Sequence, residues 1–182
     1  MQQTSFEIVR AQAQDAAALL EYLKIVGGET ENLSFGPEGV PLDEKAEQAY
    51  LGMQAQSHDH TQLLAKVNGE IIGTASLSRK QNRMRHRAEF GISLKKAWWG
   101  CGAAAALAER ILAFARETGV EQINLEVRSD NKRAIALYEK FGFRKLCTFP
   151  GFFKINGARI DFDLMTLELS PAAQNGAEKE TP

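Results

Sequence analysis

Cysteine is scarce: Cys101 and Cys147 are the only two in 182 residues. They make neither a disulfide framework nor a zinc knuckle, and such usage fits a reducing compartment. An excess of one charge is also lacking. Twenty-two basic against 23 acidic residues leave a formal net charge of −1. Phosphate-tracking proteins need a concentrated positive field, so nucleic acid is not expected as a partner. Long apolar runs are missing as well. Residues 1–10 hold no apolar core of a secretory leader. The longest uncharged apolar-rich stretch, 97–108, carries two glycines and falls well short of the ~20 residues a membrane span needs. No membrane partner is expected, and the cytoplasm is the expected location. No Gly-Lys-Ser/Thr follows a glycine-rich turn, which excludes a triphosphate-type phosphate loop.

What is present fits one domain. Hydrophobic residues make up 44% of the chain, and a chain of this size buries roughly 70% of its unfolded surface without covalent staples. That domain is expected over residues 1–169. The tail, 170–182, is small, polar and Pro-flanked, and is expected to be disordered.

Hydrophobic periodicity divides the chain into two patterns. Residues 6–10 alternate as a half-buried strand. Asp15 then caps a helix to about Val26, ended by Gly27-Gly28. A Gly- and Pro-containing loop, 29–41, holds Leu33 and Phe35, and a second helix runs over 42–55. Strands at 62–67 and 70–77 flank Asn68-Gly69, the strongest short-range hairpin signal. A basic loop, 79–87, leads to a strand at 88–94. These short connections predict an antiparallel meander. From there the order is strand, Gly-rich turn, helix (103–118), strand (122–127), helix (130–141). That is one βαβ unit, whose two strands run parallel. Gly142 ends the last helix, and strands at 143–149 and 160–169 close a hairpin through Asn156-Gly157. The fold class is therefore α/β, a mostly antiparallel mixed sheet with one central parallel pair and helices on both faces.

The turn Trp99-Gly100-Cys101-Gly102-Ala103-Ala104-Ala105 lies between strand and helix. Glycines let a phosphate approach the backbone, and the unpaired N–H groups of a first helical turn point at it. The turn reads as an anion cradle suited to a pyrophosphate, or else as a tight turn beneath an Ala-rich helix. Gly100-x-Gly102-x-x-Ala105 also matches a dinucleotide fingerprint, with Glu126 in the ribose-binding position. That match loses on context, because a meander precedes the unit and no second unit follows.

Three segments resemble the GNAT superfamily of N-acetyltransferases, which use acetyl-coenzyme A. Ala88-Glu89-Phe90-Gly91-Ile92-Ser93-Leu94 is similar to the family's central strand, and Trp99 to Ala104 to its pyrophosphate loop. Asn131-Lys132-Arg133-Ala134-Ile135-Ala136-Leu137-Tyr138-Glu139-Lys140-Phe141-Gly142-Phe143 resembles its most specific signature. The order of predicted elements from Phe6 to Leu169 also fits the family's acyl-CoA N-acyltransferase fold. One departure stands out: Trp99 occupies a place usually held by Arg or Gln. Relatives with Trp-Gly-x-Gly at this turn resemble ribosomal-protein and small-amine acetyltransferases.

The resemblance implies acetyl transfer from acetyl-coenzyme A to a primary amine, by direct attack in a ternary complex. A small amine or amino acid is the first acceptor expected, a protein N-terminus the second. It implies further that Ile92, Ser93 and Leu94 bond the pantetheine arm through their backbone. Gly100, Gly102, Ala103, Ala104 and Ala105 would bind the pyrophosphate, with Asn131 holding the pantetheine side.

Acceptor amines of the lysine type have a reference pKa of about 10.4, so a base must help. Glu89, in an otherwise apolar strand, is the candidate base or else a solvated strand glutamate. Tyr138, a phenol neutral at pH 7, is the candidate acid for the leaving thiolate or else a core tyrosine. Leu33 and Phe35 are candidate acceptor contacts within an acidic first loop and second helix. The basic loop 79–87 reads as solvated, and His58-Asp59-His60 has no further ligand cluster near it, so no metal is expected. Cys101 has no His–Asp arrangement to activate it. A homodimer through the last two strands is a further expectation, and a non-catalytic acyl-coenzyme A-binding module is the contrasting reading.

Overall fold

The computed structural model describes residues 5–169, so the expectation for the tail concerns residues outside those described. Seven strands build one mixed sheet: β1 (Glu7–Arg10), β2 (His60–Val67), β3 (Glu70–Arg79), β4 (Arg87–Leu94), β5 (Gln122–Arg128), β6 (Arg144–Ile155) and β7 (Ala158–Glu168). Four helices accompany them: α1 (Ala16–Glu29), α2 (Glu44–Ala55), α3 (Ala103–Glu117) and α4 (Lys132–Lys140). The sheet order is β1-β2-β3-β4-β5-β7-β6. Every neighbour pair is antiparallel except β4 with β5.

Both Asn-Gly hairpins form where the sequence predicts them. Asn68 and Asn156 have φ of 49°, and the glycines after them φ of 83°, the doubly positive pair of a twist-matched two-residue turn. The second hairpin sends β7 back between β5 and β6, so the last two strands pair within the chain.

Gly27-Gly28 does not end α1, which continues to Glu29. The glycines serve packing instead. A Cβ on Gly27 would lie 2.0 Å from the Gly36 carbonyl oxygen, so only glycine lets the following loop cross the helix this closely. α2 begins later than its apolar spacing suggested, because Asp43 supplies the cap and accepts from the Ala46 N–H at 2.7 Å.

Two cores flank the sheet. α1 and α2 bury Leu19, Tyr22, Val26 and Leu51 against Leu64 and Ile71 on one face. α3 buries Leu107, Ile111 and Ala115 on the other, with Tyr138 of α4 joining Phe90 and Phe143. The apolar stripe of α3 dictates this by helical spacing.

Candidate active site

The parallel pair is short. β4 and β5 are in register at Arg87–Gln122, Ala88–Ile123 and Glu89–Asn124, and there the pairing stops. β4 stays bonded to β3 as far as Leu94. From Phe90 onward the other edge of β4 has no strand neighbour, although backbone groups there must find partners. A cleft of about 760 Å³ occupies this split, floored by Phe90 to Leu94 and walled by Glu126, Val127 and Arg128.

The upper end of the cleft meets the start of α3. Gly102 is its N-cap, left-handed at φ 91°, with no side chain to cap the helix. The N–H groups of Ala103, Ala104 and Ala105 therefore lack intrahelical partners, the usual state of a first helical turn. A Cβ at Gly102 would meet nothing within 4 Å, so the space before these amides is open. Gly100, Gly102, Ala104 and Ala105 line the cleft. Ala103 does not; its methyl is fully buried beneath the helix. The donors, the open approach and the positive end of the helix fit an anionic diphosphate.

α4 contributes Asn131, Arg133, Ala134, Leu137 and Tyr138 to the wall. Asn131 caps its own helix, its side-chain oxygen accepting from the Ala134 N–H at 3.3 Å. Beyond the helix end, Gly142 N–H donates to Glu139 O at 2.9 Å and Phe143 N–H to Tyr138 O at 3.1 Å. This paired closure fixes Tyr138 relative to Phe143. The Tyr138 ring makes an edge contact with Phe90 (6.0 Å) and a tilted one with Phe143 (5.8 Å). The residue is 7% exposed, and burial pushes its phenol well above the ordinary tyrosine value. Among the described residues its hydroxyl has no hydrogen-bond partner. A protonated phenol beside the cleft is equipped to donate.

The opposite face is shaped by α1 and the loop after it. The Tyr22 hydroxyl and Ser93 Oγ share a hydrogen bond at 2.9 Å, tying α1 to the cleft floor. Thr30, Asn32, Leu33 and Ser34 line the cleft, as do Phe152, Phe153 and the buried Phe162 from the last hairpin. Phe35 does not reach it. It lines a neighbouring cavity of about 750 Å³ and packs on the α1–α2 core.

Ile92, Ser93 and Leu94 thus line the cleft together with Gly100, Gly102, Asn131, Tyr138 and Leu33. Glu89 is not brought into it. It sits where the strands are still paired, and its carboxylate, 48% exposed, forms an ion pair with Lys80 at 2.5 Å. The carboxylate that does line the cleft is Glu126. Strand alternation puts Glu126 and Arg128 on one face of β5. Arg128 meets Asp130 at 2.7 Å and reaches Glu31 of the first loop at 3.4 Å. Sequence reasoning considered Glu126 only as a ribose ligand and missed Arg128, Arg133 and the aromatic wall. The β5 alternation was the one available signal. The dinucleotide reading lacks its second parallel unit, since β4–β5 is the only parallel pair among the described residues.

A parallel pair that opens beside a glycine-turned helix defines a cleft for a long, anionic cosubstrate. The chain belongs to the acetyltransferase (GNAT) family, whose model matches residues 29–143. It is 30% identical to a GNAT-family acetyltransferase of known structure from Streptococcus pneumoniae, with a TM-score of 0.87 over 91% of this chain and 100% of that one. The acetyl-CoA-bound structure of yncA from Salmonella typhimurium, a putative acetyltransferase, superposes with a TM-score of 0.80 at 24% identity, over 95% of this chain and 99% of that one. That likeness concerns the fold. Among curated relatives, the L-amino acid N-acetyltransferase AaaT of Escherichia coli (strain K12) is 32% identical over 102 residues, 55% of this chain and 63% of AaaT. The N-alpha-acetyltransferase RimI of Mycobacterium tuberculosis is 33% identical over 105 residues, 57% of this chain and 64% of RimI. The matched segments span less than two thirds of these two relatives.

Proposed function

We propose that the chain is one N-acetyltransferase domain over residues 1–169, moving an acetyl group from acetyl-coenzyme A to a primary amine by direct attack in a ternary complex. The observation that carries this reading is the split between β4 and β5 just past the Glu89–Asn124 pair, with the Tyr138 phenol lining the opening.

Acetyl-coenzyme A, when bound, supplies an acetyl group activated as a thioester. The residues that would hold it are the backbone of Ile92, Ser93 and Leu94 for the pantetheine arm and the amides of Gly100, Gly102, Ala103, Ala104 and Ala105 for the diphosphate. Asn131 adds the α4 side. Fixed amide donors cost no reorganisation when charge develops before them, which is why a strand edge with no neighbour serves catalysis. Tyr138 holds a proton at its hydroxyl and gives it to the leaving thiolate. No step calls on a metal.

For the base, the notable contrast is between two glutamates. Glu89 is engaged with Lys80, whereas Glu126 lines the cleft. Glu126 is therefore the better candidate to take the proton of the acceptor ammonium, directly or through water. The same face favours a small amine or amino acid as acceptor, ahead of a protein N-terminus: Glu126 attracts the amine, and Leu33, Phe152 and Phe153 supply an apolar wall. AaaT, by its name, acts on L-amino acids. The Trp-Gly-x-Gly loop is compatible with either acceptor, since it resembles that of ribosomal-protein and of small-amine acetyltransferases. A cytoplasmic location and a homodimer through the open edge of β6 complete the reading.

The test is coenzyme A release across an acceptor panel, followed with a thiol reagent. Turnover with at least one amine separates an enzyme from a non-catalytic binder. Tyr138→Phe keeps the ring packing and removes the proton, so kcat falls by about 100-fold; unaltered turnover across the pH range removes the assignment. Glu126→Gln lowers kcat/KM and flattens its acid limb while Glu89→Gln does not; the reverse outcome restores Glu89.

A further inference from the structure

We infer that Arg133, stacked on Trp99, is a side-chain ligand for the phosphates of the bound coenzyme. This rests on the acyl-coenzyme A reading and adds a residue to it. Residues 97–105 carry no charged side chain, so the loop itself brings no cation beside Gly100 and Gly102. The indole N–H donates to the Leu94 carbonyl at 3.0 Å, which fixes the ring at the cleft rim. The Arg133 guanidinium lies over that ring, 4.9 Å from its centroid. A Cβ placed on Gly100 would sit 4.0 Å from an Arg133 terminal nitrogen. The charge missing from the loop is thus returned from α4.

Two further features of Arg133 suit it to an anion. Arg10 donates to the carbonyls of Gln54, Ser57 and His60, Arg79 to those of Arg85, Thr118 and Gly119, and Arg128 to Asp130. Arg133, like Arg83, Arg110, Arg116, Arg144 and Arg159, has no such partner among the described residues, but of these six it is the one that lines the cleft. A guanidinium stacked on an aromatic face keeps its in-plane donors free, in a fork that matches phosphate oxygens. Second, Lys132 and Arg133 occupy the first turn of α4, which carries no acidic residue. Cations at the positive end of a helix are unfavourable by themselves. An anion between this turn and the start of α3 reverses that cost.

Titration calorimetry tests this on the intact protein, with coenzyme A and its 3′-dephospho form as ligands. Arg133→Ala weakens coenzyme A binding by about 10- to 100-fold, the range of a charge-assisted hydrogen bond. Arg133→Lys restores part of the loss. Because the side chain is exposed, the ligand-free variant keeps its fold, read as an unchanged far-ultraviolet circular dichroism spectrum. Equal losses for both ligands place the contact at the diphosphate; loss for coenzyme A alone places it at the 3′-phosphate. Trp99→Leu weakens binding too, and the double variant binds no worse than Arg133→Ala alone, since the ring acts through the guanidinium. Arg133→Ala binding both ligands within twofold of the unsubstituted protein overturns the inference. Unsubstituted protein that binds neither ligand overturns the acyl-coenzyme A reading instead.

Discussion

Replacing Gly27 by alanine sets two effects of opposite sign against each other. In a helix interior the change alone stabilises by about 1 kcal/mol, because glycine loses more backbone freedom on folding. Here the new methyl would lie 2.0 Å from the Gly36 carbonyl oxygen and 2.6 Å from its carbon. Ordinary contact begins near 3.4 Å, so backbone has to retreat by more than an ångström. Overpacking of this kind costs about 1–3 kcal/mol and more where backbone must yield. Because backbone must yield, the cost lies at the upper end of that range and the net loss is about 2 kcal/mol. Urea unfolding reads it as a lower midpoint at unchanged slope. The retreating segment continues the loop that brings Thr30, Leu33 and Ser34 to the cleft. The acceptor KM therefore rises while coenzyme affinity stays the same. A variant more stable than the parent, with an unchanged acceptor KM, would refute the packing role of Gly27 and the loop geometry built on it.

Gly102→Ala strains a left-handed backbone by about 1–2 kcal/mol and places a methyl before the α3 amides; coenzyme Kd rises at least tenfold in calorimetry, with a smaller change in acceptor KM. Phe143→Ala empties the ring contact that holds Tyr138, destabilising the fold by about 3–5 kcal/mol in chemical denaturation. Asp163 is buried, which opposes its charged form, yet hydrogen bonds from Lys145, Ser129 and Thr148 outweigh that and hold its carboxyl below the ordinary aspartate value. The stability it contributes is present above the ordinary range and lost as pH falls through the lowered value. Unfolding curves from pH 7 to pH 2 show that acid loss in the parent and a shallower one in Asp163→Asn, which starts less stable at pH 7.

Much of the fold was legible because its signals are local. Asn68-Gly69 and Asn156-Gly157 announce turns through φ values that few residue types adopt. The change from alternation to helical spacing after Leu94 revealed the βαβ unit, and the glycines before α3 marked its open end. Gly27-Gly28 misled because the same residue type ends helices and permits close crossings, and only the position of Gly36 separates the two. Glu89 lies outside the cleft for a related reason. Its strand and face were correctly read, but the point at which β4 and β5 part decides whether a carboxylate faces the cleft, and that depends on long-range register. The Arg133–Trp99 stack joins residues from different elements, and neither alone carries a signal.

On the proposed function, the separated strands and the α3 amides hold a coenzyme whose reactive end lies beside Tyr138. A crystal structure with coenzyme A bound tests it most directly. The diphosphate is expected on the N–H groups of Ala103, Ala104 and Ala105, and the sulfur within hydrogen-bonding reach of the Tyr138 hydroxyl. Coenzyme lying elsewhere, or a sulfur turned away from that phenol, would contradict it.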